Sequence, residues 1–118
     1  MTIARLLPLD IHGALESALG PALMAAPFVF GFQLAPAVVS VTLGALILAV
    51  ALATHATERA PIPISTHAAF DIGFTIGLAA AAVVFAITGD IAAGVFLAGA
   101  AVTLTLITSL TRYSPSHR

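Results

Sequence analysis

Two apolar blocks, about 12–56 and 66–111, take up most of this chain, and every arginine lies outside them. Arg5 precedes the first block, Arg59 falls between the two, and Arg112 and Arg118 follow the second. Apart from histidine there is no other basic side chain. Each block is long enough to cross a bilayer twice, because a helix rising 1.5 Å per residue needs about 20 apolar residues per crossing. Four crossings return the N-terminus, the central loop and the C-terminus to one side, which then holds every arginine. That is the positive-inside pattern. The chain therefore reads as an all-α membrane protein of four transmembrane helices with cytoplasmic termini, at home in a bacterial inner membrane.

Composition agrees. Hydrophobic residues make up 60% of the 118 and charged residues 8%, against about a quarter charged in a soluble domain. A net charge of −1 leaves no basic face for nucleic acid. The absence of cysteine removes disulfides, thiolate metal sites and cysteine catalysis. The N-terminus does not read as a cleaved signal, since Asp10, His12 and Glu16 interrupt what would be its apolar core.

Residues 1–11 form a cytoplasmic lead, 12–56 a first hairpin, 57–65 a cytoplasmic loop, 66–111 a second hairpin and 112–118 a tail. The expected spans run over about 11–32, 37–57, 66–87 and 91–111. Gln33 to Pro36 turns the first hairpin, and Thr88-Gly89-Asp90 turns the second. The charges and two prolines of the central loop exclude a continuous helix there.

The halves repeat at an offset of 55: His12 matches His67 (67 − 12 = 55), Pro8 Pro63, Glu16 Asp71, Leu23 Leu78, Phe30 Phe85, Ala37 Ala92 and Gly44 Gly99. No gap is needed. Two tandem hairpins of this kind imply a parallel pseudo-twofold repeat about the membrane normal. Asp10 and its mate Ser65 are expected as helix N-caps, as is Asp90. Pro21 and Pro27 lie inside the first span, where neighbouring helices can satisfy the carbonyls they free.

Small residues recur at every fourth position: Ala14, Ala18, Ala22 and Ala26 in the first span, Ala69, Gly73, Gly77 and Ala81 in the third. In lipid, such stripes let helices approach closely. They predict a seam between the first and third helices or, alternatively, a seam for another subunit.

His12 and Glu16 stand four apart and share a helix face, and His67 and Asp71 repeat the arrangement. Carboxylates at that depth must be paired or hydrated, and they carry a functional hypothesis by default. Three readings stay open. One is local: same-helix pairing with headgroup water, helped by the macrodipole. A second is a metal or haem site built from His12, Glu16, His67 and Asp71, with His55 as a further ligand. The spacing is not the Glu-x-x-His of di-iron bundles. The third is proton or ion handling by Glu16 and Asp71, although Thr42, Thr75 and Thr103 are the mild polar groups left near mid-span. Glu58 and Arg59 read as a solvated pair and His117 as part of a polar tail. No nucleophile constellation, phosphate loop or zinc-protease motif occurs, so neither an enzyme nor a bound cofactor is expected.

At Ala26-Pro27-Phe28-Val29-Phe30-Gly31-Phe32 the chain resembles the SPW-repeat family of bacterial integral membrane proteins. Ala26, Pro27 and Phe28 stand where that family carries Ser-Pro-Trp near the end of a hairpin's first helix. Glu16 stands where it carries a polar residue about ten positions upstream. The Ser and Trp are absent here, and the second half has Ala81-Ala82-Val83 without proline. The resemblance implies duplicated helix hairpins over about 8–111 and implies no activity. Residues and resemblance together predict a small non-enzymatic accessory or structural subunit. Its partners are the bilayer and either another membrane protein or further copies of itself. The alternative is a small transporter or an ion- or metal-binding protein.

Overall fold

The computed structural model of the chain describes residues 7–53 and 64–111. They form four helices: α1 (Leu9–Phe30), α2 (Leu34–Ala53), α3 (Ile64–Ile87) and α4 (Ile91–Leu110). Each has 20 to 24 residues, about 30 Å or more at helical rise, and each is long and apolar enough to cross a membrane. Arg5, Arg59, Arg112, Arg118, Glu58, His55 and His117 lie outside the described residues.

The exterior is apolar, and several polar side chains are buried. Phe28 is 82% exposed and Leu34 80%, whereas His12, Glu16, Asp71, Ser40 and Thr111 are fully buried. A soluble monomer rarely shows so extensive an apolar exterior; hydrocarbon chains are a natural solvent for it. The buried interior is mostly aliphatic, with Leu23, Ile47, Val50, Phe74, Leu78, Leu97 and Leu104 in one cluster.

Packing is densest within each hairpin, α1 on α2 and α3 on α4. Between hairpins, α1 meets α4, α2 meets α3 and α2 touches α4. No close backbone approach joins α1 to α3 among the described residues, so these two occupy one diagonal of the bundle. The small-residue stripes consequently do not form a seam between α1 and α3 within one chain. Ala14, Ala18, Ala22, Ala69 and Gly73 are exposed, Gly77 and Ala81 are half-buried, and only Ala26 is buried. The tight crossing of α1 and α2 rests on glycines outside the stripes. A Cβ added at Gly44 would lie 2.5 Å from the Gly20 carbonyl oxygen, and one at Gly20 would lie 2.8 Å from that of Gly44. Gly94 plays this part against Ala86 between α3 and α4.

Both hairpin turns close in the same way. Gly31 (φ 67°) and Gly89 (φ 104°) take positive φ, a conformation favouring glycine. The following amide reaches five residues back, Phe32 to Pro27 and Asp90 to Phe85, as in a Schellman ending. Asp90 caps α4, accepting from the Ala93 amide at 3.0 Å. Its second oxygen accepts from the Gln33 amide of the other hairpin at 2.7 Å. Asp10 and Ser65 are not caps. Both α1 and α3 begin one residue before them, and Pro8 is the residue that precedes α1.

The burial pattern also corrects the gap-free repeat. On α1 and α3 it recurs at 55 (His12/His67, Glu16/Asp71, Leu23/Leu78). On α2 and α4 it recurs at 57: Pro36/Ala93, Ser40/Leu97, Gly44/Ala101, Ile47/Leu104 and Val50/Ile107 (93 − 36 = 57). The cause is two extra residues in α3, which has 24 against 22 in α1. Gly99, the expected mate of Gly44, is exposed.

Candidate functional site

At the bundle end opposite the two tight turns, α1 and α3 start and α4 stops. His12 and Glu16 project from the first turns of α1, and His67 and Asp71 from those of α3, each pair one helical turn apart and therefore on one face. The structure brings all four together, buried, with candidate ligand atoms within 4.8 Å of one another. Long side chains thus span the diagonal that the backbones leave open.

The closest contacts run between hairpins. His12 Nε2 lies 2.8 Å from Asp71 Oδ2, and His67 Nε2 lies 2.7 Å from Glu16 Oε1. The same-helix contacts, His12 to Glu16 and His67 to Asp71, are each 3.2 Å. Each carboxylate therefore sits between both imidazoles. The rings stand edge to face, 5.4 Å between centroids and 70° between planes. The local reading of the sequence placed each histidine with its own-helix carboxylate; in the fold that contact is the longer one. All four groups are buried within the chain.

A fifth residue, Thr111, completes the site. Its hydroxyl donates to the Ile107 carbonyl and lies 2.6 Å from His12 Nδ1. Since the hydroxyl has one proton, already given to Ile107, Thr111 Oγ1 accepts from the His12 Nδ1–H. Nε2 is thereby turned toward the carboxylates. The Leu7 amide donates to the Leu110 carbonyl at 2.9 Å, fastening the segment before α1 to the end of α4 beside the site. Thr111 was not among the candidate residues in the sequence; a hydroxyl at the very end of the last apolar run, on the side where the carboxylates lie, is the signal that points to it.

Three of the threonines bond to their own helices. Thr75 donates to Asp71 O, Thr103 to Gly99 O and Thr105 to Ala101 O, the i−4 back-bonding usual for threonine. Among the described residues the basic groups beside the two carboxylates are His12 and His67. Comparison with family models, with curated proteins and with solved structures found no match.

Proposed function

We propose that this protein is a small, non-enzymatic integral membrane protein that binds a cation between two tandem hairpins. The observation that carries this reading is the mutual closeness of His12, Glu16, His67 and Asp71, two histidines and two carboxylates within 4.8 Å. Buried carboxylates in a membrane bundle mark a functional site by default, ion sites among them, and here each hairpin supplies half the donors. The 55-residue repeat of the donor positions and the resemblance to SPW-repeat proteins support a pseudo-twofold arrangement about the membrane normal. The arginines support cytoplasmic termini in a bacterial inner membrane, with the site facing the cytoplasm.

Binding has more support than conduction. Beyond the cluster the interior is the aliphatic core of Leu23, Ile47, Leu78, Leu97 and Leu104, and Thr75, Thr103 and Thr105 are committed to their own helices. The test is thermal unfolding of the full chain in detergent across a panel of mono- and divalent cations. A cation at about 100 times its Kd adds about 2.7 kcal/mol. The expected result is a raised Tm for at least one cation, absent in the Glu16→Gln, Asp71→Asn double variant. A Tm indifferent to every cation overturns the reading.

A second reading, an accessory or structural subunit, is favoured by the outward stripes Ala14, Ala18, Ala22, Ala69 and Gly73. Small residues facing lipid suit close docking of another helix. Native mass spectrometry of protein released from its own membranes tests it: defined partner or self-complex masses support it, and a bare monomer counts against it.

A further inference from the structure

Resting on the cation-binding reading, the ion class follows from the donors. We infer that His12, Glu16, His67 and Asp71 form a four-coordinate site for one transition-metal dication of the zinc class, held by two imidazole nitrogens and two carboxylate oxygens.

The donor chemistry separates the candidates. Calcium takes about six to eight oxygens, and magnesium about six, several of them water. Two imidazoles in a buried cluster suit zinc and its neighbours instead. The spacing fits as well. Tetrahedral bonds of about 2.0–2.1 Å place neighbouring ligand atoms about 3.3 Å apart. The nitrogen–oxygen separations here are 2.7, 2.8, 3.2 and 3.2 Å. The four donor atoms all lie within 4.8 Å of one another, so the ion draws the wider pairs in to the tetrahedral edge as it binds.

Orientation is a separate observation. Metal-binding histidines characteristically give their other ring N–H to a fixed acceptor. Thr111 Oγ1 is that acceptor for His12, anchored in turn on Ile107, and it leaves the Nε2 electron pair directed at the cluster. In charge, one dication balances Glu16 and Asp71 with both imidazoles neutral.

The test uses the full chain, purified in detergent and stripped of metal. It is dialysed against zinc alone, and separately against calcium or magnesium alone, and bound metal is counted by elemental mass spectrometry. The expected result is one zinc per chain and no calcium or magnesium. Cobalt(II) alone should give the intense visible absorption of four-coordinate cobalt. Thr111→Val should weaken zinc binding about 10–100-fold while keeping the four-coordinate spectrum, and Thr111→Ser should restore affinity. Binding of calcium or magnesium without zinc overturns the ion class and leaves the cation reading standing; no binding of any cation overturns both. A pale six-coordinate cobalt spectrum overturns the four-ligand site, and this readout on the unaltered chain decides the matter even if a variant does not fold.

Discussion

The Ser40 hydroxyl of α2 donates a 2.6 Å hydrogen bond to the main-chain carbonyl of Leu23 in α1. Leu23 stands four residues before Pro27, which has no N–H to offer it. The serine thus replaces the hydrogen bond that the proline removes. In the second hairpin the burial-equivalent residues are Ala82 and Leu97, where neither the proline nor the hydroxyl is present. Ser40→Ala should cost about 1 kcal/mol. In a Pro27→Ala background, where an amide is again available, it should cost little. Reversible unfolding in mixed micelles reads this cycle; equal costs in both backgrounds would show that the two residues are not coupled.

Gly44→Leu should separate α1 from α2, because the new Cβ meets the Gly20 carbonyl oxygen rather than a movable side-chain tip. A loss of about 1–3 kcal/mol is expected. A Cβ at Gly73 or Gly77 meets no atom within 4 Å, so Gly73→Leu with Gly77→Leu should leave the stability of the single chain within about 0.5 kcal/mol, changing association if anything. Thermal melting with size-exclusion chromatography compares the two sets. The assignment fails if the Gly73, Gly77 variant unfolds and the Gly44 variant does not.

Removing one member of the cluster should be worse than removing a cross-hairpin pair. His12→Leu removes the imidazole 2.8 Å from Asp71 and should cost about 3–5 kcal/mol. His12→Leu with Asp71→Leu keeps the His67–Glu16 contact and should cost less than His12→Leu alone. Circular dichroism melting in metal-free detergent measures both. Strictly additive losses would mean that the 2.8 Å contact has no energetic weight.

Asp90→Ala should loosen both hairpin turns at once, since one oxygen caps α4 and the other holds the Gln33 amide. Loss of the cap costs about 1 kcal/mol. Hydrogen exchange should quicken at Ala93 and at Gln33, with Asp90→Ser protecting Ala93 only. Unchanged exchange at Gln33 would dismiss the link between the turns.

Reporter fusions ending at Gln33 and at Arg59 should fall on opposite sides of the membrane, with Arg59 cytoplasmic. A periplasmic Arg59 would reverse the orientation taken from the arginines.

The helices and their turns were legible because apolar run length, proline and glycine are local signals. So was the shared face of His12 with Glu16, set by helical spacing alone. Which carboxylate answers which histidine was not legible. That depends on α1 and α3 lying diagonally, a consequence of how two hairpins dock. The stripes misled for a related reason: in an alanine-rich chain, small residues line outer faces as readily as inner ones. The contacts that matter, Gly20 on Gly44 and Gly94 on Ala86, pair positions whose register is set by each hairpin's crossing. The two-residue shift between the halves became visible only through burial.

Each imidazole finds its nearest carboxylate in the other hairpin, so the chain behaves as a dimer joined end to end. Each half carries one histidine and one carboxylate, and the shorter contact of each imidazole runs to the other half. A chain severed between 54 and 63 and expressed as two pieces should reassemble in the bilayer. By the same logic, a lone first hairpin, carrying one histidine and one carboxylate on the same face, holds the makings of a symmetric pair from which a tandem protein of this kind could have arisen by duplication.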